Sequence, residues 1–145
     1  MASTNIELTR RVLDEVWNKR NLAVIDELVA NDFVFNDPMA PPGASGVEAY
    51  RQFVLSNLKA FPDLRLTVDD AIADGDIVAC RWHATATHKG DLAGHAATGR
   101  KVSITGMNFN RIVNGKFVES WGNWDTHGMM HQLGLVRMPA VEEVA

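Results

Sequence analysis

RIVNGKFVESWGNWDTHGMMHQLG, residues Arg111 to Gly134, is the stretch whose reading decides the fold. Asn114-Gly115 is the strongest hairpin signal in the chain, because both residue types tolerate the positive φ angles of a tight turn. It joins a strand predicted from about Val102 to Val113 to a second strand from Phe117 to Trp124. That second strand carries Trp121 and Trp124 straight into Asp125. A short amphipathic segment with Met129, Met130 and Leu133 follows, and Gly134 is a natural C-terminal stop. Asp125 therefore has two compatible readings. It can cap the helix, or it can be the one acid–base group in an apolar pocket, where burial would raise its pKa toward neutrality.

Working outward from this stretch, Leu64, Leu66 and Val68 alternate with polar residues, which is strand behaviour. Asp74-Gly75-Asp76 supplies a turn into a long strand from Ile77 to about His88, and the Gly-rich connection HKGDLAGHAATGRK leads to the strand at Val102. The N-terminal half has the helical period instead. Thr4 and Glu7 are spaced like a capping box, and Leu8, Val12, Leu13, Val16 and Trp17 share one helical face. A second short helix is expected from Asn21 through Val29, a short strand over Asp32 to Asp37, and, after the loop PMAPPGASG, a third helix from Val47 to Ala60. Helices followed by a run of antiparallel strands make the chain α+β. The expected architecture is a strongly curved antiparallel sheet, a cone-shaped barrel wrapped around the N-terminal helices, with a central pocket.

The 145 residues suit a single domain spanning 1–145, and 46% apolar with 22% charged residues is an ordinary globular composition. The longest apolar run, Ile77-Val78-Ala79-Cys80, is far too short to span a membrane. MASTNIELTRR has no apolar core of a secretory signal, and the lone Cys80 has no internal disulfide partner, so a cytoplasmic setting is expected. A net charge of −4 with scattered Lys and Arg argues against nucleic acid as a partner.

Several polar residues fall where chemistry could use them. Arg81 and His83 are two apart on a strand and share a face, from which they could orient a carbonyl or bind an oxyanion. Arg81 could equally pair with a carboxylate on a neighbouring strand. Asn108 and Asn110 share a face in a strand, where Asn is depleted, and this suggests the wall of a polar cavity. Asn36 and Asp37 before Pro38 read as turn formers or as groups at the mouth of the pocket. Parity puts Trp121 and Asn123 on the face of Asp125 and Trp124 on the other, so Trp121 is the expected pocket wall. His127 and His131 have metal-ligand spacing, but Gly128 stands where a zinc-protease helix carries its Glu, and no metal is expected. Glycine-rich phosphate loops and a GxSxG nucleophile elbow are absent, and Cys80 lies in an apolar strand.

Arg81 to Gly134, and RIVNGKFVESWGNWDTHGMMHQLG most of all, resembles the SnoaL-like polyketide cyclases, or ester cyclases, of the cone superfamily typified by nuclear transport factor and ketosteroid isomerase. The resemblance implies a cofactor-independent enzyme acting on a hydrophobic, carbonyl-bearing, polyketide-like molecule by aldol-type cyclisation. It makes Asp125 the general acid/base and makes Asn36, Arg81, His83, Asn108 and Trp121 substrate-binding residues. Asn108 stands where the cyclases carry a histidine; it can donate a hydrogen bond to an enolate but cannot shuttle a proton. The family also implies pairing through the exposed sheet face, as a homodimer or homotetramer. Two alternatives accompany this reading: an epoxide hydrolase of the limonene-epoxide type using Asp125 and Arg81, and a non-catalytic module that binds a small ligand or drives oligomerisation.

Overall fold

The computed structural model of the chain describes residues 2–137. Helix α1 (Ala2–Val12) runs on into a π-helical turn, Leu13–Asn18. Thr4 lies inside α1, so the expected capping box is not its start. The exit from the π-helical turn is held by side chains. Arg20, at φ 58, turns its guanidinium back to donate to the carbonyls of Trp17, Asn18, Leu64 and Pro62. Asn18 clasps Leu66, donating to its carbonyl at 2.8 Å and accepting from its N–H at 2.7 Å. Carbonyls left open at a helix end are thereby satisfied, and the end of the turn is tied to the chain that enters the sheet.

Helix α2 (Ala23–Leu28) passes directly into strand β1 (Val29–Asn36). Helix α3 (Val47–Ala60) then carries the chain across to β2 (Arg65–Asp74), β3 (Ile77–Thr87), β4 (Lys101–Val113) and β5 (Lys116–Trp124), and α4 (Thr126–Gln132) closes the order. The fold is α+β, and the sheet order is β1-β5-β4-β3-β2. The sheet is mixed, which corrects the all-antiparallel expectation: β1 lies parallel to β5, and the other pairs are antiparallel. Period-two alternation reports which residues share a face and carries no direction. Direction here is set by α3, which takes the chain from β1 at one edge to β2 at the other.

The helices cover one face of the sheet. Val16, Val24, Ile25 and Val54 pack against Phe33, Phe35, Val78, Ile112 and Phe117 in one buried cluster. A second cluster joins Phe61, Leu92 and Val102 to Met129 of α4 and to Leu133 just after it. The stop of α4 is as read from the sequence: Gly134 takes φ 77, its N–H reaches the carbonyl of His131, and that of Leu135 reaches Met130, each at 2.9 Å. Among the described residues no helix is long and apolar enough to cross a membrane.

Candidate functional site

Between the helices and the sheet lies a cavity of about 130 Å³, room for roughly ten waters. From the sheet it is lined by Trp82 of β3, Asn108 and Asn110 of β4, and Ser120, Gly122 and Trp124 of β5, with Val29, Phe33 and Phe35 of β1 and Phe117 of β5 beside them. Trp17, Tyr50 and Phe53 close it from the helices. Among the described residues Asp37 is the sole charged side chain on this wall.

Asp37 is the first residue after β1, before Pro38. One carboxylate oxygen accepts the Met39 N–H at 2.8 Å, a turn typical of Asp two residues upstream of a free amide. The indole N–H of Trp124 is shared by both oxygens at 3.3 and 3.2 Å. Burial pushes the Asp37 carboxyl above the ordinary carboxylate range, and the Met39 and Trp124 donors only partly offset this. A carboxyl placed so is a stronger base than one in water.

Two further indoles prepare the remaining polar groups. Trp17 donates to the Tyr50 hydroxyl oxygen at 3.3 Å, which leaves the phenolic hydrogen free to donate. Burial, opposed by the Trp17 donor and reinforced by the charge of Asp37, pushes the Tyr50 phenol up to about 12, so it keeps its proton. Trp82 donates to Oδ1 of Asn108 at 2.8 Å. An indole N–H can only donate, so the amide oxygen must face Trp82 and the NH₂ is left for the cavity. Gly106 makes this possible. A Cβ there would stand 2.3 Å from the Trp82 ring and 2.8 Å from Cβ of Trp124, so the absent side chain lets the two indoles meet. The wall thus offers one carboxylate and two hydrogen-bond donors inside an apolar enclosure.

The residues singled out from the sequence divide by face. Asn36 and Asn108 line the cavity, and the Asn36 amide also donates to the Ser120 carbonyl at 2.9 Å. Asp125 does not line it. Its side chain is exposed and accepts the Gly128 N–H at 2.8 Å, capping α4. This corrects its expected placement in an apolar pocket. Arg81 and His83 share a face, as read, but it is the outer one. Arg81 pairs with Asp70 at 2.7 Å, and His83 meets Asp69, a residue skipped by the strand register at a bulge, at 2.8 Å. Arg81 and Asp125 border only a shallow outer groove. Trp121 also lies off the cavity wall, and Trp124 takes its place. The parity argument was sound and the choice of inner face was reversed. His127 and His131 are exposed, and among the described residues no three His, Cys, Asp or Glu side chains converge. From the sequence, Asp37 reads as a turn former or a group at the pocket mouth and Trp124 as lying on the opposite face, while Tyr50 is given no role at the site. A usable signal existed: Trp82, Gly106 and Trp124 pair in one row across three strands, and Asn108 lies two residues along β4 on the same face.

Residues 7–133 match the family model described as SnoaL-like polyketide cyclase. Among solved structures, IdmH of Streptomyces antibioticus, a candidate polyketide cyclase, is 33% identical with a TM-score of 0.76, over 91% of this chain and 97% of that one. A candidate polyketide cyclase of Acidithiobacillus ferrooxidans is 30% identical with a TM-score of 0.82, over 90% and 94%. AclR of Streptomyces galilaeus, a candidate hydroxylase, is 29% identical with a TM-score of 0.81, over 94% and 100%. No curated protein matches the sequence.

Proposed function

Because the chain belongs to the SnoaL-like polyketide cyclase family, we propose that it is a cofactor-independent acid–base enzyme acting on a hydrophobic, carbonyl-bearing, polyketide-like molecule, with Asp37 as the acid–base group. The observation that carries this reading is the placement of Asp37: a half-buried carboxyl, raised by burial, on an otherwise uncharged cavity wall. Asp37 removes a proton from the carbon next to the substrate carbonyl. The enolate oxygen that forms takes hydrogen bonds from the Tyr50 hydroxyl and the Asn108 amide, donors set before the reaction begins. In an aldol closure the enolate carbon bonds to a second carbonyl carbon of the same molecule, and the new alkoxide takes back the proton from Asp37. Protons and electrons balance without a co-reactant. Asn108 needs only to donate, so the lack of a histidine there does not block these steps. The strongly curved, cone-like form of the sheet belongs to the same reading.

The test uses 2-tetralone, a small aromatic ketone with an acidic carbon between its ring and carbonyl. Deuterium exchange at that carbon, followed by NMR, should be accelerated by the native protein. It should fall about a thousandfold in Asp37→Asn while binding persists. Unchanged exchange in that variant would remove Asp37 from the role.

The outer face of the sheet fits a second copy of the chain. Ile72, Met107 and Phe109 stand there 72%, 64% and 56% exposed. Ile72, Ala79, Phe109 and Trp121 pair in one row across four strands. An apolar row of this kind is suited to a self-complementary dimer contact. Phe109→Lys should convert a dimer to monomer in analytical ultracentrifugation; a native protein that sediments as a monomer would end this part of the proposal.

A further inference from the structure

The cavity has a second polar point that the proton transfer does not use. Asn110 of β4 is only 6% exposed and lines the cavity. The other cavity amides are engaged: Asn108 by Trp82, Asn36 by the Ser120 carbonyl and Asn57 by the Phe53 carbonyl. Among the described residues, no protein group hydrogen-bonds the Asn110 side chain. Directly across the strand pair stands Ser120, which also faces the cavity. Its neighbours on the wall include Val29, Phe33 and Phe117, so the amide and hydroxyl form a polar island in an apolar end. The amide faces the cavity space, so its donor and acceptor are available to whatever fills that space.

Register sets the spacing. Asn110 pairs with Ser120, Asn108 with Gly122, and Gly106 with Trp124. Trp124, which holds Asp37, therefore lies four residues along β5 from Ser120, roughly 13 Å, with Asn108 midway. A ligand whose reacting carbonyl sits between Asp37 and Asn108 extends its far end toward Asn110 and Ser120. Amide and hydroxyl each donate and accept, and no charged side chain lines that end, so the complementary group is a neutral oxygen function.

We infer that Asn110 and Ser120 form a second oxygen-binding subsite, and that the cavity selects fused-ring ketones carrying a hydroxyl or carbonyl remote from the reacting carbonyl. The inference rests on the proposed role of Asp37 only for the orientation of the ligand. The test compares 2-tetralone with 6-hydroxy-2-tetralone by calorimetric titration. The native protein should bind the hydroxylated ketone about tenfold more tightly, the worth of one well-made hydrogen-bond pair. In Asn110→Leu the ratio should fall to near one with 2-tetralone bound at least as well. Ser120→Ala, at a half-buried position, should lower the same ratio and decides the matter if the Leu variant does not fold. Equal binding by the native protein, no binding of either ketone, or a ratio retained in both variants would overturn the subsite. A melting temperature many degrees lower in a folded Asn110→Leu would make the amide structural and overturn it as well. The two readings fail separately. Exchange that ignores Asp37→Asn while the ratio behaves as stated removes only the acid–base assignment, and a native ratio of one with Asp37-dependent exchange removes only the subsite.

Discussion

Two aspartates follow the ends of two parallel, hydrogen-bonded strands: Asp37 after β1 and Asp125 after β5. β1 ends opposite Trp121 and β5 runs three residues further before Asp125, and the two carboxylates meet opposite surroundings. Asp125 turns to water and spends an oxygen on the Gly128 N–H at the start of α4. Asp37 turns into the cavity, where the Trp124 indole and one backbone amide are its donors and burial raises its pKa. Each arrangement depends on a missing side chain. A Cβ on Gly106 would strike the indole of Trp82 and the Cβ of Trp124, and a Cβ on Gly128 would come within 2.0 Å of the Asp125 carboxylate. Position at a strand end does not tell a cap from a base; the donors and the dielectric around the carboxylate do.

The sharpest way to break this comparison is to neutralise each carboxylate by one atom. Asp37→Asn should cut 2-tetralone exchange about a thousandfold, while Asp125→Asn, which remains a good cap, should leave it within about twofold. Equal losses would mean the outer carboxylate reaches the reaction and would reverse the assignment. Next in size come the glycines. Gly106→Ala forces a methyl into the Trp82 indole and the Cβ of Trp124, with little freedom to yield. It should lower stability by about 1–3 kcal/mol in denaturant titrations and reduce exchange with it. Gly128→Ala displaces an exposed carboxylate and loses most of a cap, partly offset by the better helix propensity of alanine, so stability should change by less than about 1 kcal/mol. Its exchange rate should stay native.

How much of this could be read from the sequence follows the same division. The order of helices and strands, the Asn114-Gly115 turn, the capping role of Asp125 and the stop at Gly134 are local signals carried by neighbouring residues, and they are where the sequence reading placed them. The two faces of each strand were also legible, since alternation separates Trp121 from Trp124 and Arg81 from Trp82. Which face turns inward was not. Both carry large apolar side chains: Met107 and Phe109 stand outside while Trp82 and Trp124 stand inside. Hydrophobicity therefore could not choose between them. Asp37 was hidden for a related reason. Asp before Pro reads first as a turn, and it is one through Met39, but the Trp124 contact that draws its carboxylate inward spans 87 residues. The parallel placement of β1 was equally out of reach, because it comes from the path of α3 rather than from any strand's own pattern.

The smallest effect separates the two carboxylates by stability alone. Asp125→Ala removes an N-cap and should lower stability by about 1 kcal/mol, a fall of a few degrees in melting temperature. Asp37→Asn should do the reverse at pH 7. The folded chain holds the Asp37 carboxyl above its ordinary value, so it takes a proton more readily folded than unfolded. Its contribution to stability is therefore fully present below the ordinary carboxylate pKa and is lost as pH rises through the folded value. Above the folded value the ionised Asp37 works against folding, and a neutral amide of the same shape relieves that opposition. The variant should melt above the native protein at pH 7, and its advantage should shrink as pH falls toward 4. If the advantage were the same at both pH values, it would arise from packing rather than charge. If Asp37→Asn melted lower at pH 7, the Trp124 and Met39 hydrogen bonds would outweigh burial, and Asp37 would be a structural carboxylate of the same kind as Asp125.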